Sequence, residues 1–237
     1  MSFEITGLTK ENLDGLLKEL AKAYKRLTHG RAHAELILVG GAAILANYFF
    51  RESTMDIDAV ILADSAIKDA ANQVADRYGL PGDWLNADFR KTASFSEKLR
   101  GISKHYRTYA NVVEYRTVTD EYLIAMKLVS ARDYKYDHSD IAGILYENEE
   151  KGTPITKDDI YKAVVELYGD WEIIPENSRS FIQDAFAADN FKKLYEDTRN
   201  IERENKEMLN SFAEKYPNTI RRSNINDILA SLLEKKV

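Results

Sequence analysis

The feature that most constrains this chain is a strand–turn–helix–strand pattern between Val39 and Val60. An apolar run ends in Gly40-Gly41, a second apolar run continues to Phe50, and a strand-like segment then carries Asp56 and Asp58. Because side chains alternate along a strand, both carboxylates are expected on one face and the intervening isoleucine in the core. A glycine turn that opens a helix presents backbone N–H groups to anions. The pattern therefore predicts carboxylates that hold Mg²⁺ beside a turn that accepts phosphate.

Each part of this pattern also has an ordinary structural interpretation. A bare Asp-x-Asp is most often two acidic residues at the entrance of a strand, and adjacent glycines most often form a tight turn. Arg51 and Thr54 precede the aspartates and increase the weight of the functional interpretation. They either bond neighbouring backbone groups, orient the aspartates or contact phosphate, and the sequence leaves these alternatives open.

The order of the remaining patterns predicts an α/β (α+β) fold, in which a small mixed sheet is flanked by helices. Helical and strand-like periods alternate up to residue 150, and only helical patterns follow the run Lys-Gly-Thr-Pro at 151–154. We predict a domain at 1–150 and a helical C-terminal domain at 151–237. The predicted elements are helices at 8–28, 42–50, 65–78, 119–128 and 137–147 and strands at 35–39, 57–62 and within 105–118, with Asn111 in a turn; 84–99 has no clear pattern.

Composition excludes several classes of function. The chain has no cysteine, which removes disulfides, thiolate zinc sites and cysteine nucleophiles and fits a reducing cytoplasm. The net charge of −6 argues against a strongly basic nucleic-acid surface over the whole chain, although it allows a local one. The longest apolar stretch, 36–50, is shorter than the ~20 residues that span a membrane, and no signal-peptide pattern is present. We expect a soluble cytoplasmic protein without a membrane partner.

The segment GGAAILANYFFRESTMDID resembles the signature of the DNA polymerase beta-like nucleotidyltransferase superfamily. Its Arg-x-x-Thr-x-Asp-Ile-Asp run is similar to a bacterial branch that includes the toxins of abortive-infection type IV toxin–antitoxin systems and relatives of unknown function. DWLNAD at 83–88 and EYLIAMKLVSARDYKYDHSDI at 121–141 resemble two further motifs of those relatives. The resemblance covers roughly residues 35–145.

The resemblance implies a fold, a reaction and a set of site residues. Asp56 and Asp58 would hold Mg²⁺, usually two ions, and Gly40 and Gly41 would form the phosphate turn. The implied reaction moves a nucleoside monophosphate from an NTP to a hydroxyl of RNA, protein or a small molecule. A toxin-like role and a cognate antitoxin protein are also implied, and the helical region 155–237 is a candidate docking surface for a partner.

The resemblance also implies a third carboxylate, which in that superfamily usually lies on a neighbouring strand. Glu114, on a predicted strand, is the best-placed acid and is assigned a catalytic role. Asp88 is the alternative, although the motif in the relatives places Asp directly after Asn and here Ala87 intervenes. If neither residue supplies the ligand, the fold would be a catalytically inactive binding or interaction module.

A last group of charged residues lies further along the chain, at Lys127, Arg132, Asp137 and Asp140. Asp137 and Asp140 lie about one helical turn apart and therefore share a face. In one interpretation Lys127 contacts a nucleotide phosphate, together with Arg51 and Thr54, and the other residues support the site. In the other, the group is a salt-bridge cluster between helices.

Overall fold

The computed structural model describes residues 7–130, 132, 137–188, 190–221 and 224–234. The chain forms two compact units. The first comprises Met1–Met126 and Asp158–Trp171, and the second comprises Lys127–Lys157 and Glu172–Val237. The predicted domain division between residues 150 and 151 stays a prediction. The predicted α/β fold class is confirmed, because a mixed sheet and flanking helices make up the first unit.

The sheets of the first unit consist of seven strands within the described residues. Strands β1 and β3 form a small antiparallel pair, and the other strands form a five-stranded sheet in the order β5-β4-β2-β7-β6. Strand β2 is antiparallel to β4 and parallel to β7. The strands are β1 Leu8–Thr9, β2 Ala34–Leu38, β3 Ser53–Thr54, β4 Ile57–Leu62, β5 Leu85–Asn86, β6 Lys104–Tyr109 and β7 Val113–Thr117.

Two helices cover one face of the large sheet. Helices α1, Lys10–Leu27, and α3, Ala66–Tyr78, bury their apolar faces against alternate residues of the central strands, including Leu36, Leu38 and Ile57. The side chain of Asn12 accepts a hydrogen bond from the Thr9 backbone N–H at 2.8 Å and helps to cap α1. The other helices with residues in this unit are α2 Gly40–Asn47, α4 Leu99–Ile102, α5 Asp120–Ser130 and α7 Lys157–Tyr168.

The segment from Trp84 to Leu99, which has no clear sequence pattern, is held by specific hydrogen bonds. The indole N–H of buried Trp84 donates to the Ala71 carbonyl oxygen at 3.0 Å. Further along, the Ser96 hydroxyl donates to the Leu167 carbonyl oxygen at 2.8 Å, and the Tyr168 hydroxyl donates to the Ser94 carbonyl oxygen at 2.7 Å. These contacts join the segment to α3 and α7.

The second unit is helical over its described residues. Its complete helices are α6 Asp137–Glu150, α8 Glu176–Ala187, α9 Phe191–Lys215 and α10 Ile225–Glu234. The charged run at 200–215 lies within α9 and buries Glu202, Asn205 and Leu209, because α9 packs against α6. None of the helices in the described part of the chain combines the length and apolar character needed to cross a membrane.

Candidate active site

The glycine turn lies directly against one of the predicted metal ligands. The Val39 backbone N–H donates to the Asp58 carbonyl oxygen at 3.0 Å, so the pairing between β2 and β4 continues to the turn. Gly40 then adopts a φ of +56°, a conformation that glycine accepts without steric cost. A Cβ atom at Gly40 would lie 3.7 Å from Oδ2 of Asp58. The bare backbone of the turn thus adjoins the Asp58 carboxylate.

Gly41 is required for a different reason, which is close packing. A Cβ atom at this position would lie 3.0 Å from the Cβ of Thr54 and 3.1 Å from a guanidinium nitrogen of Arg51, and it would overlap the Thr54 hydroxyl. Thr54 is buried and is fixed by pairing with Leu8 of β1. The Arg51 Nε–H donates to the Ser53 carbonyl oxygen at 3.1 Å. The structure therefore brings Arg51 and Thr54 to the turn, while their predicted role in nucleotide binding stays a prediction.

Asp56 directly precedes β4, and Asp58 is its second residue. Ile57 is fully buried between them, whereas Asp56 and Asp58 are half-buried. Asn86 of the neighbouring strand β5 pairs in register with Asp58, and its amide nitrogen donates to Oδ2 of Asp56 at 3.3 Å. Asn86 therefore lies beside both acidic positions, and its amide bonds to Asp56.

Asn86 is not among the predicted site residues, although it lies within the segment DWLNAD. Its two-residue strand has no period of its own and is defined by pairing with β4, so the sequence offers only its place in that segment. Asp88, the alternative third carboxylate, lies in a 3-10 helix, Asp88–Lys91, just after β5. Its exposed carboxylate forms an ion pair with Lys91 at 2.6 Å, and its role as a metal ligand stays a prediction.

The structure does not bring Glu114 to the aspartates. Glu114 pairs in register with Glu35 of β2, whereas Thr117 of β7 pairs with Leu38 at the end of β2 that leads into the glycine turn. At ~3.3 Å per residue, three residues of strand separate the two positions by about 10 Å. The predicted catalytic role of Glu114 therefore has no geometric support.

The side chain of Glu114 has other partners. Its carboxylate accepts a hydrogen bond from a guanidinium nitrogen of Arg116 at 3.0 Å and lies 3.4 Å from Nδ1 of His105. The bond from Arg116 is the main cause that lowers the pKa of Glu114, and His105 adds to it. Glu114 is thus a member of a charged group on β6 and β7.

Lys127 lies in a buried ion-pair cluster of the second unit. Its ammonium group is 2.7 Å from Asp137 and 2.6 Å from Asp140, and Arg132 lies 2.9 Å from Asp137. Burial alone would raise the pKa of Asp137, but the charges of Lys127 and Arg132 hold this pKa well below its usual range. The geometry is that of the salt-bridge interpretation, and a contact of Lys127 with a nucleotide stays a prediction.

The donor set around the glycine turn is compatible with Mg²⁺. Asp56 and Asp58 supply carboxylate oxygens, and Asn86 supplies an amide beside them. Over the residues that the structure describes, no group of three or more His, Cys, Asp or Glu side chains is arranged to hold a metal ion. Mg²⁺ is commonly bound by one or two carboxylates completed by water and substrate phosphates, so two aspartates fit this ion.

One comparison with known proteins gives a match. The model of a family described as "Nucleotidyltransferase of unknown function (DUF6036)" matches residues 15–149, which is more than half of the 237-residue chain. The matched range includes the glycine turn, both aspartates, Asn86 and the Lys127 cluster. No curated protein and no solved structure matches the chain.

Proposed function

This chain belongs to the nucleotidyltransferase family of unknown function, and from that premise we propose that it transfers a nucleoside monophosphate from an NTP to a hydroxyl acceptor with Mg²⁺. The position of the Asp58 carboxylate beside the Gly40 turn is the observation that carries the proposal. A phosphate that approaches this turn would lie beside the carboxylates that hold the metal ion. The acceptor is RNA, a protein side chain or a small molecule.

The proposed reaction needs positioning and charge stabilisation rather than a covalent enzyme intermediate. The first turn of α2 directs N–H groups towards the triphosphate, and the Arg51 guanidinium at Gly41 adds positive charge there. When bound by Asp56 and Asp58, Mg²⁺ supplies neutralisation of phosphate charge and favours loss of the acceptor proton. The acceptor oxygen bonds to the α-phosphorus, and the bond between that phosphorus and the oxygen that bridges to the β-phosphate breaks. Pyrophosphate leaves with the bridging oxygen, and the acceptor proton passes to solvent.

A second candidate function is a nucleotide-binding module without catalysis. Two observations favour it, namely the position of Glu114 away from the turn and the lack of a group of three metal-binding side chains in the described ranges. A pair of carboxylates suffices to hold Mg²⁺–NTP, whereas the proposed transfer also requires the acceptor to be activated. The two candidates differ in turnover and not in NTP binding.

Label transfer from each NTP distinguishes these candidates. The full chain would be incubated with Mg²⁺, each α-³²P-labelled NTP and either total RNA or cell lysate. We expect label transfer by the wild type and a transfer rate more than about a hundredfold lower in Asp58→Ala. Changing a residue that only supports a metal ligand typically costs about 10–100-fold in activity, and removing the ligand itself should cost more. Asp76→Ala, at an exposed aspartate of α3, is the matched control and should retain transfer. NTP binding by the wild type without any transfer would support the binding module and overturn the enzyme.

Asn86→Asp tests whether this position faces the metal. A third carboxylate beside Asp56 and Asp58 would repel both, so we expect the melting temperature in EDTA to fall below that of the wild type. Added Mg²⁺ should then raise the melting temperature more in Asn86→Asp than in the wild type, because the ion binds only the folded site. Asn86→Ala is the control for loss of the amide. Equal Mg²⁺-induced shifts in all three proteins would contradict a metal site here.

The toxin-like role belongs to the same proposal, because nucleotidylation of an essential RNA or protein would block its function. Induced expression of the wild type in growing bacterial cells should arrest growth, whereas Asp58→Ala expressed to the same level should not. Relief of the arrest by a co-expressed neighbouring gene product would identify a cognate antitoxin. Equal growth with both proteins would count against this role while leaving the transferase proposal intact.

A further inference from the structure

A basic surface lies at the C-terminal end of α1, although the chain as a whole carries a net charge of −6. Lys18, Lys22, Lys25 and Arg26 follow one another at spacings that place them on one exposed side of the helix. Between residues 18 and 33 the only acidic side chain is Glu19. The opposite side of α1 is buried against the sheet, so the basic side faces solvent.

Part of this surface is concave. A shallow, open depression of about 560 Å³ is lined by Lys22, Lys25, Arg26, His29 and Gly30, and we call it the basic recess. The chain reverses there because His29 and Gly30 adopt φ values of 51° and 68°. The Gly30 backbone N–H donates to the Lys25 carbonyl oxygen at 2.9 Å, and the aliphatic part of Lys25 lies over Gly30. Three cationic side chains and an imidazole thus surround one recess.

Among the described residues, two of the three cations that line the recess form no ion pair, although the charge of Arg26 also acts on Glu19. Lys22 pairs with Glu19 at 2.6 Å, whereas neither Lys25 nor Arg26 forms an ion pair with an acid in the described part of the chain. Cations near the end of a helix are favoured by its dipole, which accounts for Lys25 and Arg26 as stabilising residues. Lys18 and Lys22 lie before the last turn, so the dipole does not explain the whole surface.

We propose that the basic recess binds backbone phosphates of single-stranded RNA. The proposal rests on the proposed function, in which an RNA hydroxyl is one acceptor. The recess precedes β2 and the glycine turn follows β2, so the two lie at opposite ends of a five-residue strand in the same unit. At ~3.3 Å per residue the strand spans about 16 Å. Successive phosphates lie ~3.4 Å or more apart, so an RNA of about six nucleotides or more is long enough to reach from the recess to the turn.

RNA binding is measured by fluorescence anisotropy with a labelled single-stranded RNA of about 20 nucleotides over a series of salt concentrations. The recess variant is Lys25→Gln/Arg26→Gln. The matched control is Lys192→Gln/Lys193→Gln, an adjacent pair of exposed lysines in the first turn of α9. Both variants lose the same charge and keep the aliphatic stems. Circular dichroism melts confirm that each variant is folded.

We expect the recess variant to bind RNA about tenfold more weakly than the wild type at ~0.1 M salt, with the log–log salt slope smaller by about 1.4. The control should match the wild type. Equal affinity of the recess variant and the wild type, or no RNA binding by the wild type, would overturn the proposal. Competition by polyglutamate as effective as that by unlabelled RNA would also overturn it, since it would indicate an acidic polypeptide as the partner.

The binding assay is independent of catalysis. Anisotropy is measured without NTP or Mg²⁺, so it reports RNA affinity whether or not the chain transfers a label. If the enzyme proposal fails, RNA binding by the recess remains measurable. If the recess proposal fails, label transfer to protein or small-molecule acceptors remains measurable.

Discussion

The two glycines of the turn serve different physical requirements. Gly40 provides a left-handed backbone conformation beside Asp58, and Gly41 provides the space that Thr54 and Arg51 occupy. A side chain at either position would be opposed, by backbone strain at the first and by overlap at the second. The glycines at the start of α2 therefore depend on residues that follow this helix in the sequence.

Gly41→Ala should lower the free energy of unfolding by about 1–3 kcal/mol, because the added methyl group would overlap Thr54. Gly15→Ala is the matched control, since Gly15 lies exposed within α1 and nothing lies within 4 Å of its Cβ position. That control should raise the free energy of unfolding by about 0.5–1 kcal/mol through helix propensity. Urea denaturation measures both changes, and a Gly41→Ala protein as stable as the wild type would contradict the packing at Thr54.

At the scale of secondary structure, elements with a clear period were predictable. The structure confirms the predicted helix α1, the strand β4 and the helix that ends at Tyr78. It also confirms the turn at Asn111 between β6 and β7. The short strands β1, β3 and β5 were not predicted. Each has only two residues, and hydrogen bonds to distant strands, rather than a local period, define them.

The candidate site was predictable where it is local in sequence. Gly40, Gly41, Thr54 and Asp58 all fall within one segment, and two short connections bring them together. The acid or amide that completes the group depends on strand order, which local sequence does not specify. Strand β5 lies beside β4, whereas β7, with Glu114, lies beyond β2. That order favours Asn86 over Glu114.

The cluster that joins the end of α5 to α6 should be a major source of stability in the second unit. Lys127→Met would remove the cation that the buried carboxylates of Asp137 and Asp140 share, and breaking a buried ion pair costs about 3–5 kcal/mol. We expect the free energy of unfolding to fall by that amount in guanidinium denaturation. Lys151→Met, which removes the partly exposed pair with Glu147, should change it far less.

A nucleotide-binding role for Lys127 makes the opposite prediction. Lys127→Met would then leave the free energy of unfolding near that of the wild type and would weaken NTP binding. Measuring both quantities in the same variant therefore separates the two interpretations of this residue.

At the scale of the whole molecule, the residues of the proposed chemistry fall in one unit, and the Lys127 cluster and Glu202 fall in the other. The first unit contains the glycine turn, the aspartates, Asn86 and the basic recess, and the second contains the Lys127 cluster and Glu202. Each unit is thus expected to respond to different conditions. Mg²⁺ should act on the stability of the first unit, and pH between acidic and neutral values should act on that of the second.

Glu202 is the group expected to cause the pH response. One oxygen of its buried carboxylate accepts hydrogen bonds from the backbone N–H groups of His138 and Ser139, at 3.1 and 3.2 Å, at the start of α6. The other oxygen has no hydrogen-bond partner among the residues that the structure describes. Burial raises the pKa of Glu202 to about 7, and the charges of Asp140 and Asp137 contribute.

This raised pKa fixes the direction of the pH effect. In the unfolded chain Glu202 titrates near its ordinary pKa of 4.5, so between that value and about 7 the folded state holds a proton that the unfolded state releases. The free energy of unfolding should therefore fall as pH rises through this window, by about 3 kcal/mol in all. Below the window both states are protonated, and above it both are ionised, so the effect is confined to it.

Hydrogen exchange at pH 5 and pH 7.5, corrected for the intrinsic dependence of exchange on pH, measures this effect locally. The opening free energy of amides in α6 should be lower at pH 7.5, whereas that of amides in β2, in the first unit, should change little. Glu202→Gln keeps an acceptor oxygen for His138 and Ser139 without the charge, so the difference between the two pH values should disappear from α6. Glu207→Gln, at an exposed position of α9, should retain it. A wild-type α6 with equal opening free energies at both pH values would show that Glu202 ionises in the folded protein at its ordinary pKa.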